Sequence, residues 1–374
     1  MVFLCFATGV HIMIHHVSKV IYPVFSLTLV ISLTMVIALT GCSRDDQPKE
    51  NDTVQEITLM THDSFSASAR VIEAFEKKNH AKVVFLKSGD AGEALNKAIL
   101  SKNNPLADIF YGVDNTFLSR ALSEDLFLSY ASPQLAHVKD SLKLDPENRL
   151  VPVDYGDVCI NYDRNWFREK NIDPPSSLED LLAPGFKGLT VVENPATSSP
   201  GLAFLLTTVA RFGEQGYLDF WQQLQNNDVL ITSGWKEAYW GKFSAASEGS
   251  RPVVVSYASS PAAEVFYSKT PMETAPTGVV IDHGTAFRQI EFAGILKGTQ
   301  KLALAKKLMD FLLSTQFQED IPLQMFVFPS NKEAALPEVF TKHATITDDP
   351  AVIEFKIISE KRDLWIEQWT ESML

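Results

Sequence analysis

Apolar positions along this chain recur at two spacings, and from residue 57 onward the spacing switches back and forth between them. Short apolar runs of strand length at 57–60, 82–86 and 108–113 alternate with stretches at 67–78, 93–100 and 115–122. In those stretches the apolar residues return every three or four positions, as on a helix with one buried face. Strands separated by helices need crossover connections, which are right-handed and build a mainly parallel sheet with helices on its faces. After an interruption the alternation resumes, with strands at 158–162, 189–192, 228–232 and 252–257. Helices are predicted at 178–182, after Pro200 and after Gly234. The chain therefore carries a second α/β unit.

The interruption, Leu150-Val-Pro-Val-Asp-Tyr-Gly156, is predicted to be an extended segment crossing between the units, because Pro152 disfavours helix. A second crossing falls near 283–290, ahead of a strand at 291–296 and a helix at 302–313. The expected organisation is a first lobe over 54–153, a second lobe over 154–285, and a return to the first lobe over 286–374. The terminal helices are candidates to cover the second lobe. Such a two-lobed α/β chain leaves a cleft between its lobes.

Ahead of this body, residues 24–39 are apolar and broken only by Ser and Thr, and they end in Leu39-Thr40-Gly41-Cys42, the pattern of a bacterial lipoprotein signal. Cys42 is then the lipid-modified N-terminus of the mature chain, residues 1–41 a signal peptide and residues 42–53 a polar tether. The run is too short and too rich in Ser and Thr for a comfortable spanning helix, which sets aside an uncleaved anchor. Met13 offers an alternative start, with the more ordinary basic segment Met13-Ile-His-His-Val-Ser-Lys19.

Removing 41 of 374 residues leaves 333, more than one core usually holds. It also moves the formal net charge from −13 to −14, because Lys19 is the only charged side chain removed. That acidity argues against nucleic acid and fits a neutral or cationic ligand. Cys5 and Cys42 fall in or at the signal, so Cys159 is the single thiol of the exported body, with no internal disulfide and no cysteine metal site.

Ligands of open parallel sheets sit at the carboxyl ends of the strands. Those positions hold His62-Asp63-Ser64, Ser88-Gly89-Asp90 and Asp114-Asn115 in the first unit. Each Asp is also a natural helix cap, but three carboxylates on one rim make a cation site. In the second unit Trp235 and Tyr257 fall at strand ends and are candidates to stack on a flat cationic ring, whereas Tyr239 and Trp240 are expected to pack in the core. The segment Glu193-Asn-Pro-Ala-Thr-Ser-Ser-Pro-Gly201 clusters hydroxyls at a helix start. Ser198 and Ser199 there are either anion ligands or plain caps before Pro200.

Taken in order, Thr61-His-Asp-Ser-Phe65, Ala107-Asp-Ile-Phe-Tyr-Gly-Val-Asp-Asn115, Val151-Pro-Val-Asp-Tyr-Gly156, the 195–201 segment, Gly234-Trp-Lys-Glu-Ala-Tyr239 and Ser256-Tyr-Ala-Ser-Ser-Pro261 resemble the thiamine-binding proteins of bacterial ABC importers. The resemblance covers most of the mature chain and implies the two-lobed type II periplasmic-binding-protein fold. It implies a monomer without cofactor or metal that captures thiamine or a thiamine phosphate and delivers it to an ABC permease. Ser198 and Ser199 would hold the phosphate, Trp235 and Tyr257 would line the ring pocket, and His62, Asp63, Ser64, Asp90, Asp154 and Phe326 would complete it. Departures are His62 where relatives carry Tyr, Ala69 and Ala263 in place of aromatic residues, and Phe326 in place of Trp.

Two alternatives accompany this expectation. A ferric-ion carrier of the same fold needs adjacent tyrosines, but Tyr257 stands alone between Ser256 and Ala258. A thiamine-cleaving enzyme needs a Cys nucleophile at the position of Gly156. Cys159, three residues on along a strand, faces the opposite side.

Overall fold

A computed structural model describes residues 54–374. The expected signal peptide, Cys42 and tether lie outside the described residues. Eleven strands are found among the described residues: β1 (Gln55–Thr61), β2 (Ala81–Lys87), β3 (Ile109–Asp114), β4 (Phe127–Leu128), β5 (Val151–Asp163), β6 (Thr190–Glu193), β7 (Leu230–Thr232), β8 (Val253–Tyr257), β9 (Thr277–Val280), β10 (Phe287–Leu296) and β11 (Phe328–Pro329). They join in one sheet, eight along the path β2-β1-β3-β10-β5-β8-β6-β7, with β4 beside β10 and with β9 and β11 beside β5.

Each end of that path is parallel, β1 with β2 and β3, and β6 with β7 and β8, as the strand and helix alternation requires. The middle is antiparallel. The crossing segment at 150–156 and the strand expected at 158–162 are one unbroken strand, β5, and the crossing at 283–290 is continuous with β10. Pro152 is accommodated at a register shift, where Glu291 pairs with Asp154 and Phe292 with Pro152, so its missing N–H interrupts the ladder only locally.

Helices cover both ends. Leu302–Leu312 packs beside Ala69–Asn79 on the β1 side, with Phe75 and Phe311 rings 5.1 Å apart. On the β8 side the helix Ser199–Asn226 carries the terminal helix Phe355–Met373, joined by an edge-on contact of Trp221 and Trp369 at 5.4 Å. Gly213, with φ of 72°, breaks that long helix into two segments. The stretch expected as a helix at 178–182 is a single 3₁₀ turn, Glu179–Leu182, and the helix expected after Gly234 is one turn, Trp235–Glu237, followed by a π turn, Ala238–Lys242.

Candidate functional site

Three adjoining cavities meet at Trp235 and Ser64. One of about 220 Å³ lies among Trp235, Trp240, Tyr257, Ala263, Tyr267 and Phe326. One of about 60 Å³ runs inward between His62, Asp90, Ser199, Trp235, Tyr257 and Glu291. The third, about 430 Å³, opens outward past Asp63, Gly89, Ser233 and Lys236. The structure thus brings His62, Asp63, Ser64, Asp90, Ser199, Trp235, Tyr257 and Phe326 to one cleft.

Trp235 is fixed from three directions. Its indole Nε1–H donates to Ser256 Oγ at 2.8 Å, its ring stacks on Tyr239 at 5.2 Å and 17°, and its backbone N–H points at Asp90 Oδ2, 3.4 Å away. That last contact bridges the two ends of the sheet, because Asp90 caps the helix Ala91–Leu100 after β2. Gly234 makes the approach possible, since a Cβ there would fall 2.7 Å from the Asp90 carboxylate. Tyr257 lies edge-on to Trp235, and its hydroxyl shares hydrogen bonds with the Gln289 amide. Phe326 occupies the left-handed region at φ 57°, an uncommon place for an aromatic residue. Its carbonyl accepts from Ser259 Oγ.

Beneath the rings lies a row of carboxyls. Glu291 on β10 is directly opposite Asp114 on β3 and Asp154 on β5, so the three side chains share one face of the sheet. Asp154 lies behind the cavities, buried, and accepts the Tyr111 hydroxyl. Burial, reinforced by the Glu291 charge, holds its carboxyl well above the usual range. Asp114 is pushed up to about 6 by burial, against hydrogen bonds from Ser199 and Thr116. His62 Nε2 sits 3.4 Å from Glu291 Oε2. Burial alone would lower its pKa, but the Glu291 and Asp90 charges outweigh burial and raise it. Gly112, at φ 107°, lets that imidazole lie against β3, where a Cβ would come within 2.5 Å of its ring.

Ser198 and Ser199 separate in role. Ser198 is the N-cap residue of its helix but makes no capping bond; its buried side chain lies by the Asp90 carboxyl and does not line the three cavities. Ser199 donates its hydroxyl to Asp114. Glu193 lies buried nearby with neither carboxyl oxygen bonded. Burial first, then the Asp90 charge, holds its pKa well above normal. Trp240, expected in the core, is 46% exposed and lines two of the cavities, because the π turn rotates it out of the packed face that Tyr239 keeps. Glu291, Tyr267 and Lys236 escaped the sequence reading. Strand alternation in β10 could have marked Glu291, but nothing local marks the other two.

Residues 104–350 match the family model described as bacterial extracellular solute-binding protein. The thiamine-binding periplasmic protein of Brucella suis biovar 1 (strain 1330) is 31% identical over 319 residues, 84% of this chain and 90% of its own. The protein of the same name in Escherichia coli (strain K12) is 29% identical over 324 residues, 85% of this chain and 93% of its own. Among solved structures, a periplasmic thiamin binding protein superposes with a TM-score of 0.76 at 27% identity, covering 86% of this chain and 97% of the other. A ferric binding protein from Campylobacter jejuni, at a TM-score of 0.68 and 20% identity over 84% of this chain and 99% of its own, shares the fold.

Proposed function

Because the chain belongs to the family of bacterial extracellular solute-binding proteins, we propose that it captures thiamine, free or phosphorylated, in the cleft around Trp235 and delivers it to an ABC permease. The observation that carries this reading is the inner cavity, where the carboxyls of Asp90 and Glu291 lie beside the rings of Trp235 and Tyr257. Negative groups next to aromatic faces suit a flat ring that bears a positive charge, and thiamine carries a thiazolium and an aminopyrimidine. For a phosphorylated ligand, Ser198, Ser199 and the first amides of their helix are the donors this reading calls on, with Ser199 the one that lines the inner cavity. Asp63, Ser64 and Phe326 complete the walls, while Asp154 supports the floor through Tyr111.

The two-lobed type II fold expected from the sequence is that of the matching structures. Within the proposal, β5 and β10 are the crossing strands about which the lobes close, and the protein acts as a monomer without cofactor. Export to the periplasm follows the relatives; tethering through Cys42 is the finer step. Cys42→Ala should abolish incorporation of labelled fatty acid, and retained label would exclude the tether.

The ferric-ion alternative shares this fold with the ferric binding protein named above, whereas the thiamine-cleaving alternative gains no support from the site. The thiol of Cys159 is buried against Ala258 and Ala286, and burial pushes its pKa up, so no thiolate is presented. Gly156, at the nucleophile position, has no side chain and faces the Tyr257 ring.

Mass spectrometry of ligand that co-purifies with residues 43–374, followed by calorimetry with thiamine and its phosphates, tests the reading. Binding of none of them removes the thiamine assignment and leaves a solute carrier of other specificity.

A further inference from the structure

The 220 Å³ cavity lies between two aromatic walls. Trp235 and Trp240 form one side, and on the other the helix Ser260–Tyr267 presents Ala263, whose methyl leaves a gap. Tyr267 follows Ala263 by four residues and so lies on the same helical face. Side chains on a helix lean toward its N-terminus and cover the preceding turn, which carries the Tyr267 ring back over Ala263. The ring is steadied at its edge by Phe326, 5.4 Å away at 60°, and by Phe266 at 5.2 Å. Yet Tyr267 is 59% exposed, so the fold itself gains little from it.

We propose that Tyr267 is a specificity-determining ligand contact: it closes the outer side of this cavity and stacks on the flat ring of a bound heterocyclic cation. The inference rests on the thiamine reading above. Asp63, on the same cavity, supplies the negative charge that such a ring needs beside it. A large aromatic side chain one turn further along the helix thereby takes the place that a large residue at 263 would fill directly.

The test is calorimetry with thiamine on the parent, Tyr267→Ala, Tyr267→Leu, Tyr267→Phe and the double variant Tyr267→Ala with Ala263→Tyr. Loss of a stacking face should raise Kd about tenfold in the Ala and Leu variants, leave Phe close to the parent, and be partly reversed in the double variant. If Tyr267→Ala binds like the parent, or Leu serves as well as Tyr, Tyr267 is not a stacking contact, while thiamine binding by the parent keeps the functional reading intact. Failure of the parent to bind thiamine removes both. Should the Ala variant fold poorly, the Leu and Phe comparison decides the matter alone.

Discussion

Ser199 Oγ donates to Asp114 Oδ2, and this bond ties the first turn of a helix at one end of the sheet to the tip of β3 at the other. Its neighbour Ser198 is also buried but makes no capping bond, and its side chain lies by the Asp90 carboxyl. Adjacent serines that look equivalent in sequence therefore play different parts in the fold, one tied to β3 and one turned toward the cap of the helix that follows β2.

That division predicts opposite phenotypes. Ser199→Ala strips a buried carboxyl of a donor and should cost about 1–3 kcal/mol of stability in urea unfolding. Ser198→Ala should leave stability nearly unchanged and weaken thiamine phosphate by about 1.5–3 kcal/mol, the value of a hydrogen bond to a charged group, with little effect on thiamine. Equal losses for the two ligands would mean that Ser198 only shapes the helix start.

Asp114 also gives stability a definite dependence on pH. Its folded pKa, about 6, lies above the ordinary 3.8 because it is buried. Below the lower value both states are protonated and nothing is lost. As pH rises from 3.8 through 6 the unfolded chain gives up its proton first, so stability falls, on the order of 3 kcal/mol in all. Asp114→Asn should flatten that part of the profile. An unchanged slope in urea unfolding between about pH 4 and 7 would assign it to Asp154, Asp90 or Glu193, whose pKa values burial also raises.

The sequence was most legible where local periodicity and tertiary structure agree. The strands and helices from β1 to β3 follow the apolar spacing, and strand ends located Asp90, Trp235 and Tyr257 because a parallel sheet presents those positions to its cleft. What stayed hidden depends on register or on a turn of unusual pitch. Glu291 gains meaning only when β10 aligns it between Asp114 and Asp154. Trp240 reaches the cleft only because the chain makes a π turn after Glu237, which apolar spacing does not encode. Tyr267 sits at the end of a helix whose short length gave no periodic signal.

His62 predicts a proton released on binding. The Glu291 and Asp90 charges raise its pKa above 6.5 despite burial, so its pairing with Glu291 stabilises the fold fully below about 6.5, and that contribution is lost as pH rises through the raised pKa. A cationic ligand beside a charged imidazole is disfavoured, so thiamine should bind more tightly as pH rises through that same window. Calorimetry in buffers of differing ionisation enthalpy should register proton release on binding, and His62→Asn should reduce it. If that variant keeps the parent's proton release, the proton comes from Asp90 instead.

The strongest demand falls on Trp235 and Tyr257. Trp235 is pinned by Ser256, Tyr239 and Asp90, and Tyr257 meets it edge-on at 6.3 Å, so the two rings offer preformed surfaces rather than ones assembled on binding. Truncating either to Ala removes a ring face and the apolar contact that comes with it, and should weaken thiamine binding by about 1–3 kcal/mol. Trp235→Phe keeps a flat face but loses the Nε1–H bond to Ser256, so it should fall between the parent and Ala. Thiamine should quench tryptophan emission of the parent, and the quench should shrink in Trp235→Phe. Cys159→Ser, buried on the far side of β5, is the control that should bind as the parent does. Normal folding together with unaltered affinity in both Trp235→Ala and Tyr257→Ala would place the ligand elsewhere and leave the acid row beneath these rings without a cation to balance.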